Sequence, residues 1–139
     1  MKKESMDDIM RALYYKKEAF FVDMFGKVKS NQTTLYNDRN NCTSQAHINK
    51  WLSINDLLNI ACFLNPNWQP DWNNKEEAKY TLRIEKDTVK IQKVEYPISI
   101  VYFPSEDLAQ QAIDIIGRGK ILEIFVWTVI FVMTMIFSI

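Results

Sequence analysis

Several residue types are scarce in this sequence, and each scarcity argues against a kind of catalytic site. Three glycines are too few for a loop that cradles a phosphate. The single histidine, His47, has no matching ligands nearby in sequence, so neither a metal site nor a nucleophile–base pair is indicated. Two cysteines cannot form a disulfide framework, and we expect Cys62 in the core and Cys42 in a loop. The sequence therefore predicts a protein that is not an enzyme and binds no cofactor.

Net charge is also absent. The 139 residues include 17 Lys and Arg and 17 Asp and Glu, with no basic run, so no attraction to nucleic acid phosphates is expected. Apolar residues, in contrast, make up 47% of the chain and aromatic residues 13%, which is ample material for a hydrophobic core. The length favours one ordinary domain, or a smaller domain with attachments.

The amino-terminal segment carries apolar residues at helical spacing. This spacing predicts one amphipathic helix over 5–25, ended by Gly26, so that 1–28 form an amino-terminal element. Its apolar face, rich in Phe and Met, either packs on the core, which is the interpretation we favour, or lies on a membrane surface beside neighbouring lysines. The polar stretch 29–44 has no sustained period and predicts a loop or linker.

An α+β core domain is predicted over 45–117. Its first helix begins either near Gln45 or at a cap formed by Ser53, and Asn65-Pro66 ends it in both cases. Alternating apolar residues then predict two strands, and a third, over 98–103, is apolar on both faces. Short connections make these strands a small three-stranded antiparallel meander. A helix capped by Ser105 packs against the meander.

The last part of the chain, 118–139, is strongly apolar. Residues 121–139 would span about 28 Å as a helix, close to the thickness of a bilayer core. The segment is either a transmembrane anchor, which we favour, or a helix that packs in a homo-oligomer. The predicted anchor residues are Ile124, Phe125, Val126, Trp127, Val129, Ile130, Phe131 and Val132.

A stiff aromatic corner separates the helix and the strands of the core domain. Trp68 and Trp72 flank Pro70, and Tyr80 opens the first strand. These three aromatic residues either complete the core, as we expect, or line a groove that binds a partner protein.

Two stretches of the core domain resemble a family of small uncharacterised phage and prophage proteins. The first stretch contains the Trp-x-Pro-x-Trp corner of Trp68 to Trp72, and the second is the helix Phe103-Pro104-Ser105-Glu106-Asp107-Leu108-Ala109-Gln110-Gln111-Ala112-Ile113. The likeness covers about 48–117. It implies a phage or bacterial setting and brings no known activity or catalytic residues.

The combined prediction is a non-enzymatic interaction module of phage or prophage origin. Its partner would be another protein or a second copy of itself, and residues 121–139 would tether it to the cytoplasmic face of the bacterial inner membrane. The alternatives are a soluble phage structural or assembly protein that forms a homo-oligomer, or an inhibitor of a host factor. These alternatives place the protein in the cytoplasm or in the phage particle.

Overall fold

A computed structural model describes residues 3–125, and over this range the fold is α+β. Three helices and two antiparallel hairpins are followed by a helical segment at 118–125. The chain divides into two compact units, with the boundary between Leu52 and Ser53. The elements are α1 (Met6–Tyr14), β1 (Lys17–Val22), β2 (Val28–Thr33), α2 (Gln45–Leu64), β3 (Tyr80–Glu85), β4 (Thr88–Lys93) and α3 (Glu106–Ile116).

The first unit contains a hairpin where the sequence predicted helix and loop. The helix predicted over 5–25 ends at Tyr14, β1 lies within the rest of that predicted helix, and most of β2 lies in the stretch 29–44 predicted as a loop. Both predictions were wrong for the same reason. The run Ala19 to Val22 fits a helical stripe, but its aromatic and β-branched residues also favour a strand, and pairing with β2 decides between them. Lys16, at a φ of 57°, turns the chain out of the helix.

A small hydrophobic cluster joins α1 to this hairpin. Met10 and Tyr14 of α1 pack with Ala19 of β1, and Tyr36 covers them from the loop after β2. The start of α1 is closed by a capping box, in which Ser5 Oγ accepts from the Asp8 N–H and Asp8 Oδ2 accepts from the Ser5 N–H, each at 3.1 Å. Only Met10 and Tyr14 of the apolar face of α1 are buried in this cluster, whereas Met6, Ile9 and Leu13 are exposed.

The outer edge of β1 is closed by the residues that precede α2. Phe20 and Cys42 exchange backbone hydrogen bonds of 2.9 and 2.7 Å, and the side-chain amide of Asn40 donates to the Val22 carbonyl at 2.7 Å. Two residues after Cys42, the Ser44 hydroxyl accepts from the His47 N–H at 3.1 Å. This hydrogen bond settles the ambiguous start of α2, which begins at Gln45.

The second unit is built on the β3–β4 hairpin, which the sequence predicted. Lys86 and Asp87 form the turn with φ of 48° and 62°. The third strand of the predicted meander, over 98–103, is absent from the described residues. Only Tyr80 and Phe103 form an isolated antiparallel bridge, with N–H···O distances of 2.8 Å in both directions.

Local side-chain hydrogen bonds explain why this third strand does not form. The Tyr102 hydroxyl accepts from the Ser99 N–H at 2.5 Å and donates to the Ser99 carbonyl at 2.8 Å. Thr81 Oγ1 donates to the Val101 carbonyl at 2.6 Å, where both residues are buried. Side chains therefore satisfy backbone groups that a strand ladder would otherwise use.

The core of the second unit lies between the hairpin and three helical segments. Ser105 caps α3, and Gly117 ends it with a φ of 91°, as predicted. Arg118 donates to the Asp87 carbonyl, and Lys120 pairs with Asp56 at 3.6 Å. The buried core residues are Leu57, Leu82, Val101, Phe103, Ala109, Ala112, Ile121 and Ile124.

The substitution Thr81→Val tests the buried bond between β3 and Val101. Valine keeps the shape of threonine but leaves the buried Val101 carbonyl without its donor, so we expect a loss of about 1–3 kcal/mol in the free energy of unfolding. Urea denaturation followed by tryptophan fluorescence measures this loss. Thr88→Val is the matched control at an exposed position of β4, and it should change the free energy of unfolding by less than about 0.5 kcal/mol. Equal effects of both substitutions would contradict the assignment.

Candidate functional site

A groove in the second unit is the candidate functional site. It has a volume of about 320 Å³, at the lower end of the range for ligand-binding pockets. One wall is the carboxyl-terminal part of α2, the second is the turn that follows α2, and the third is the chain that precedes α3. Its lining residues are Leu58, Ala61, Cys62, Asn65, Asn67, Trp68, Gln69, Pro70, Ile100, Val101, Tyr102, Phe103 and Pro104.

The floor of the groove is apolar and fixed by the core. Val101 and Phe103 are buried, because the Thr81 bond and the Tyr80 bridge hold them against β3. The rim, in contrast, exposes apolar side chains to solvent: Leu58 is 43% exposed and Ile100 is 46% exposed. The site is therefore a preformed floor with an apolar rim.

The turn after α2 brings polar groups to one side of the groove. Asn67 adopts a φ of 68°, a conformation that asparagine tolerates, and the Trp68 N–H donates to the Asn65 carbonyl at 3.4 Å. The side-chain amides of Asn65, Asn67 and Gln69 offer hydrogen-bond donors and acceptors without charge. All the described lining residues are uncharged.

An aromatic pair supports the groove. The rings of Trp72 and Tyr102 meet edge to face, with centroids 4.8 Å apart. The Tyr102 hydroxyl is already bonded to the backbone of Ser99 at 2.8 Å. Tyr102 therefore links Trp72 to the wall of the groove, and its hydroxyl has a structural role.

Lys79 fixes the position of Trp72. This lysine is 3% exposed, and its Nζ donates to the carbonyls of Asn74 and Glu77 at 2.9 and 3.1 Å. The Nζ also lies 3.4 Å from a carboxylate oxygen of Glu77 and 5.4 Å from the centre of the Trp72 ring. The same carboxylate oxygen accepts from the Asp71 N–H at 2.8 Å, which closes the turn around the lysine.

The three aromatic residues that were expected to complete the core, or alternatively to line a partner-binding groove, lie in different environments. Trp68 lines the groove, Trp72 supports it through Tyr102, and Tyr80 packs on the core. Sequence reasoning did not identify Leu58 and Ile100 as rim residues. One sequence signal pointed to Ile100. The stretch 98–103 is apolar on both faces, and because it forms no strand, Ile100 is left exposed.

The predicted positions of the two cysteines are reversed. Cys42 is 4% exposed, and burial raises the pKa of its thiol, whereas Cys62 is exposed on the groove. Cys42 is buried because its backbone bridges Phe20, a contact that the polar sequence around it does not reveal. Among residues 3–125, no group of three or more His, Cys, Asp or Glu side chains is arranged to hold a metal ion.

Two of the predicted anchor residues belong to the protein core. Ile124 is 4% exposed within the core cluster, and Phe125 packs against that cluster. The other predicted anchor residues, from Val126 to Val132, lie outside the described residues. In the part of the chain that the structure describes, no helix is both long enough and apolar enough to cross a membrane.

Comparison with known proteins identifies no relative of this chain. No protein family, curated protein or solved structure matches this chain. The resemblance to phage and prophage proteins stays a prediction from the sequence motifs.

The substitution Lys79→Met tests the support of Trp72. Methionine fills a similar space but leaves the Asn74 and Glu77 carbonyls without their charged donor, so we expect a loss of about 1–3 kcal/mol in stability. Thermal denaturation followed by near-ultraviolet circular dichroism measures the loss and the packing of Trp72. Lys75→Met is the control at an exposed position of the same turn and should stay within about 0.5 kcal/mol of the parent protein. A stable Lys79→Met variant with unchanged aromatic signals would contradict this role.

Proposed function

We propose that the chain is a non-enzymatic protein-interaction module. Its second unit would bind an uncharged segment of a partner protein, which inserts one large aliphatic or aromatic side chain into the groove. The observation that carries this proposal is the combination of an apolar floor, an exposed apolar rim and uncharged polar groups on one side.

The chemistry of the lining favours this occupant. Burial of one large apolar side chain contributes roughly 1.5–3 kcal/mol, whereas an unpaired charge in the same place would be costly. The amides of Asn65, Asn67 and Gln69 can bond to the peptide backbone on either side of the inserted residue. Because Val101 and Phe103 are already ordered by the core, binding requires little rearrangement of the floor.

Cys62 and Tyr102 are the titratable side chains among the described lining residues. The Tyr102 hydroxyl is engaged by the backbone of Ser99, so it is positioned as a structural group. This arrangement supports recognition over catalysis.

The proposal includes a location for the module. The apolar composition of the chain after Phe125 supports a tether at the cytoplasmic face of a bacterial inner membrane, and the Trp-x-Pro-x-Trp corner supports a phage or prophage origin. The protein partner would then lie at or near the bacterial envelope.

A selection with displayed random peptides on the full-length protein tests the groove. We expect enriched sequences with a large apolar residue in a stretch without charge, since the rim and floor offer no ionic partner. The double substitution Leu58→Asp and Ile100→Asp should weaken binding of such a peptide by at least about tenfold, the equivalent of about 1.4 kcal/mol. Isothermal titration calorimetry measures the change.

Ile115→Asp provides the matched control, because Ile115 is 55% exposed on α3 and does not line the groove. It should leave peptide affinity unchanged. Enrichment of charged peptides, or equal binding by the groove variant, would contradict the proposed occupant. A dimer that the groove substitutions dissociate would show instead that a second copy of the chain occupies the groove.

A further inference from the structure

The tip of the first hairpin exposes two large apolar side chains. Met24 is 90% exposed and Phe25 is 80% exposed, and they are adjacent between β1 and β2. Single exposed apolar residues are common on protein surfaces, but a neighbouring pair at the end of a hairpin forms a projecting apolar point. The small cluster of Met10, Tyr14 and Ala19 that stabilises this unit does not include either residue.

The turn that carries these side chains is held by several hydrogen bonds. Asp23 Oδ1 accepts from the backbone N–H groups of Phe25 and Lys27, both at 2.9 Å. The Asp23 N–H donates to the Lys27 carbonyl at 2.8 Å, and the Gly26 N–H donates to the Asp23 carbonyl at 3.0 Å. Gly26 has a φ of 76°, which a residue with a side chain rarely adopts.

The charge of Asp23 is used inside the turn. The hydrogen bond from the Lys27 N–H is the main influence that lowers the pKa of the Asp23 carboxyl, so the group is ionised at neutral pH. Its carboxylate oxygen accepts from backbone N–H groups, and the positive charges of Lys29 and Lys27 lower its pKa further. The turn is thus ordered before any partner arrives, and Met24 and Phe25 are held outward at little further entropic cost.

Two lysines lie directly behind the apolar tip. Lys27 closes the turn, and Lys29 follows on β2 opposite Phe21, where both lysines are exposed. The two lysines outnumber the Asp23 carboxylate, so the tip combines a projecting apolar point with a net positive charge. Lipid membranes present the complementary surface, in which apolar chains lie beneath anionic headgroups.

We propose that residues 23–27 insert into the interface of an anionic lipid bilayer. Met24 and Phe25 enter among the acyl chains close to the headgroups, while Lys27 and Lys29 contact the anionic headgroups. A bilayer fits this tip better than a protein partner does, because a convex point with two side chains offers too small an area for a stable protein interface. The inference concerns the first unit, and it depends neither on the groove nor on the proposed tether.

A fluorescent label at the tip tests the proposal in the full-length protein. Phe25→Cys is labelled with a polarity-sensitive fluorophore in a Cys62→Ser background, since Cys62 is exposed whereas Cys42 is buried. Vesicles of phosphatidylcholine with a minority of phosphatidylglycerol should shift the emission of the label to shorter wavelength. Vesicles of phosphatidylcholine alone should produce a clearly smaller shift.

The same label at Leu35→Cys is the control, because Leu35 is 71% exposed in the same unit but lies outside the tip. It should show little change, which separates insertion of the tip from affinity of the dye for lipid. Lys27→Glu with Lys29→Glu should reduce the shifted fraction at position 25 by about tenfold on anionic vesicles.

Three results would overturn the proposal. The first is an emission at position 25 that does not respond to vesicles, and the second is an equal shift at position 35. The third is a shift that grows with protein concentration in the absence of lipid, which would assign the tip to a contact between copies of the chain. None of these results affects the peptide selection on the groove, so the two proposals can fail separately.

Discussion

The second unit depends on how the outer edge of β3 is closed. Tyr80 and Phe103 exchange two backbone hydrogen bonds, and Thr81 Oγ1 donates to the Val101 carbonyl in the buried core. This short contact replaces a third strand. Because it holds only the end of the segment against the sheet, Ile100 is left on the surface, and the space between that segment and α2 becomes the groove. The absence of a third strand beside β3 in the described residues and the formation of the groove therefore have the same origin.

The first unit closes its hairpin in the same way. Phe20 of β1 bridges Cys42 just as Tyr80 of β3 bridges Phe103, and a helix begins soon after each bridge behind a serine that accepts from a backbone N–H. Unpaired strand edges invite association with other chains, and both units cover part of one edge with a few residues. The two hairpins of this chain are thus closed by the same kind of contact.

Local signals in the sequence predicted β3, β4 and α3 of the second unit but also a third strand that does not form, and they predicted the elements of the first unit poorly. Ser105 and Gly117 mark the ends of α3 by capping chemistry, and the alternation around Leu82 marks β3, because each signal depends on near neighbours. The run Ala19 to Val22 satisfies both periods, and only its pairing with β2 makes it a strand. For the site, sequence analysis singled out Trp68, but the groove rim depends on the long-range Thr81 bond.

Native-state hydrogen exchange of the full-length protein, followed by NMR, tests most directly whether this edge contact organises the second unit. The account predicts that the amides of Tyr80 and Phe103 are protected as strongly as those of the β3–β4 ladder, because they open only when the core opens. Exchange of these two amides at the rate of exposed loop amides would contradict it. The segment before α3 would then be loosely attached, and the groove would not be a preformed site.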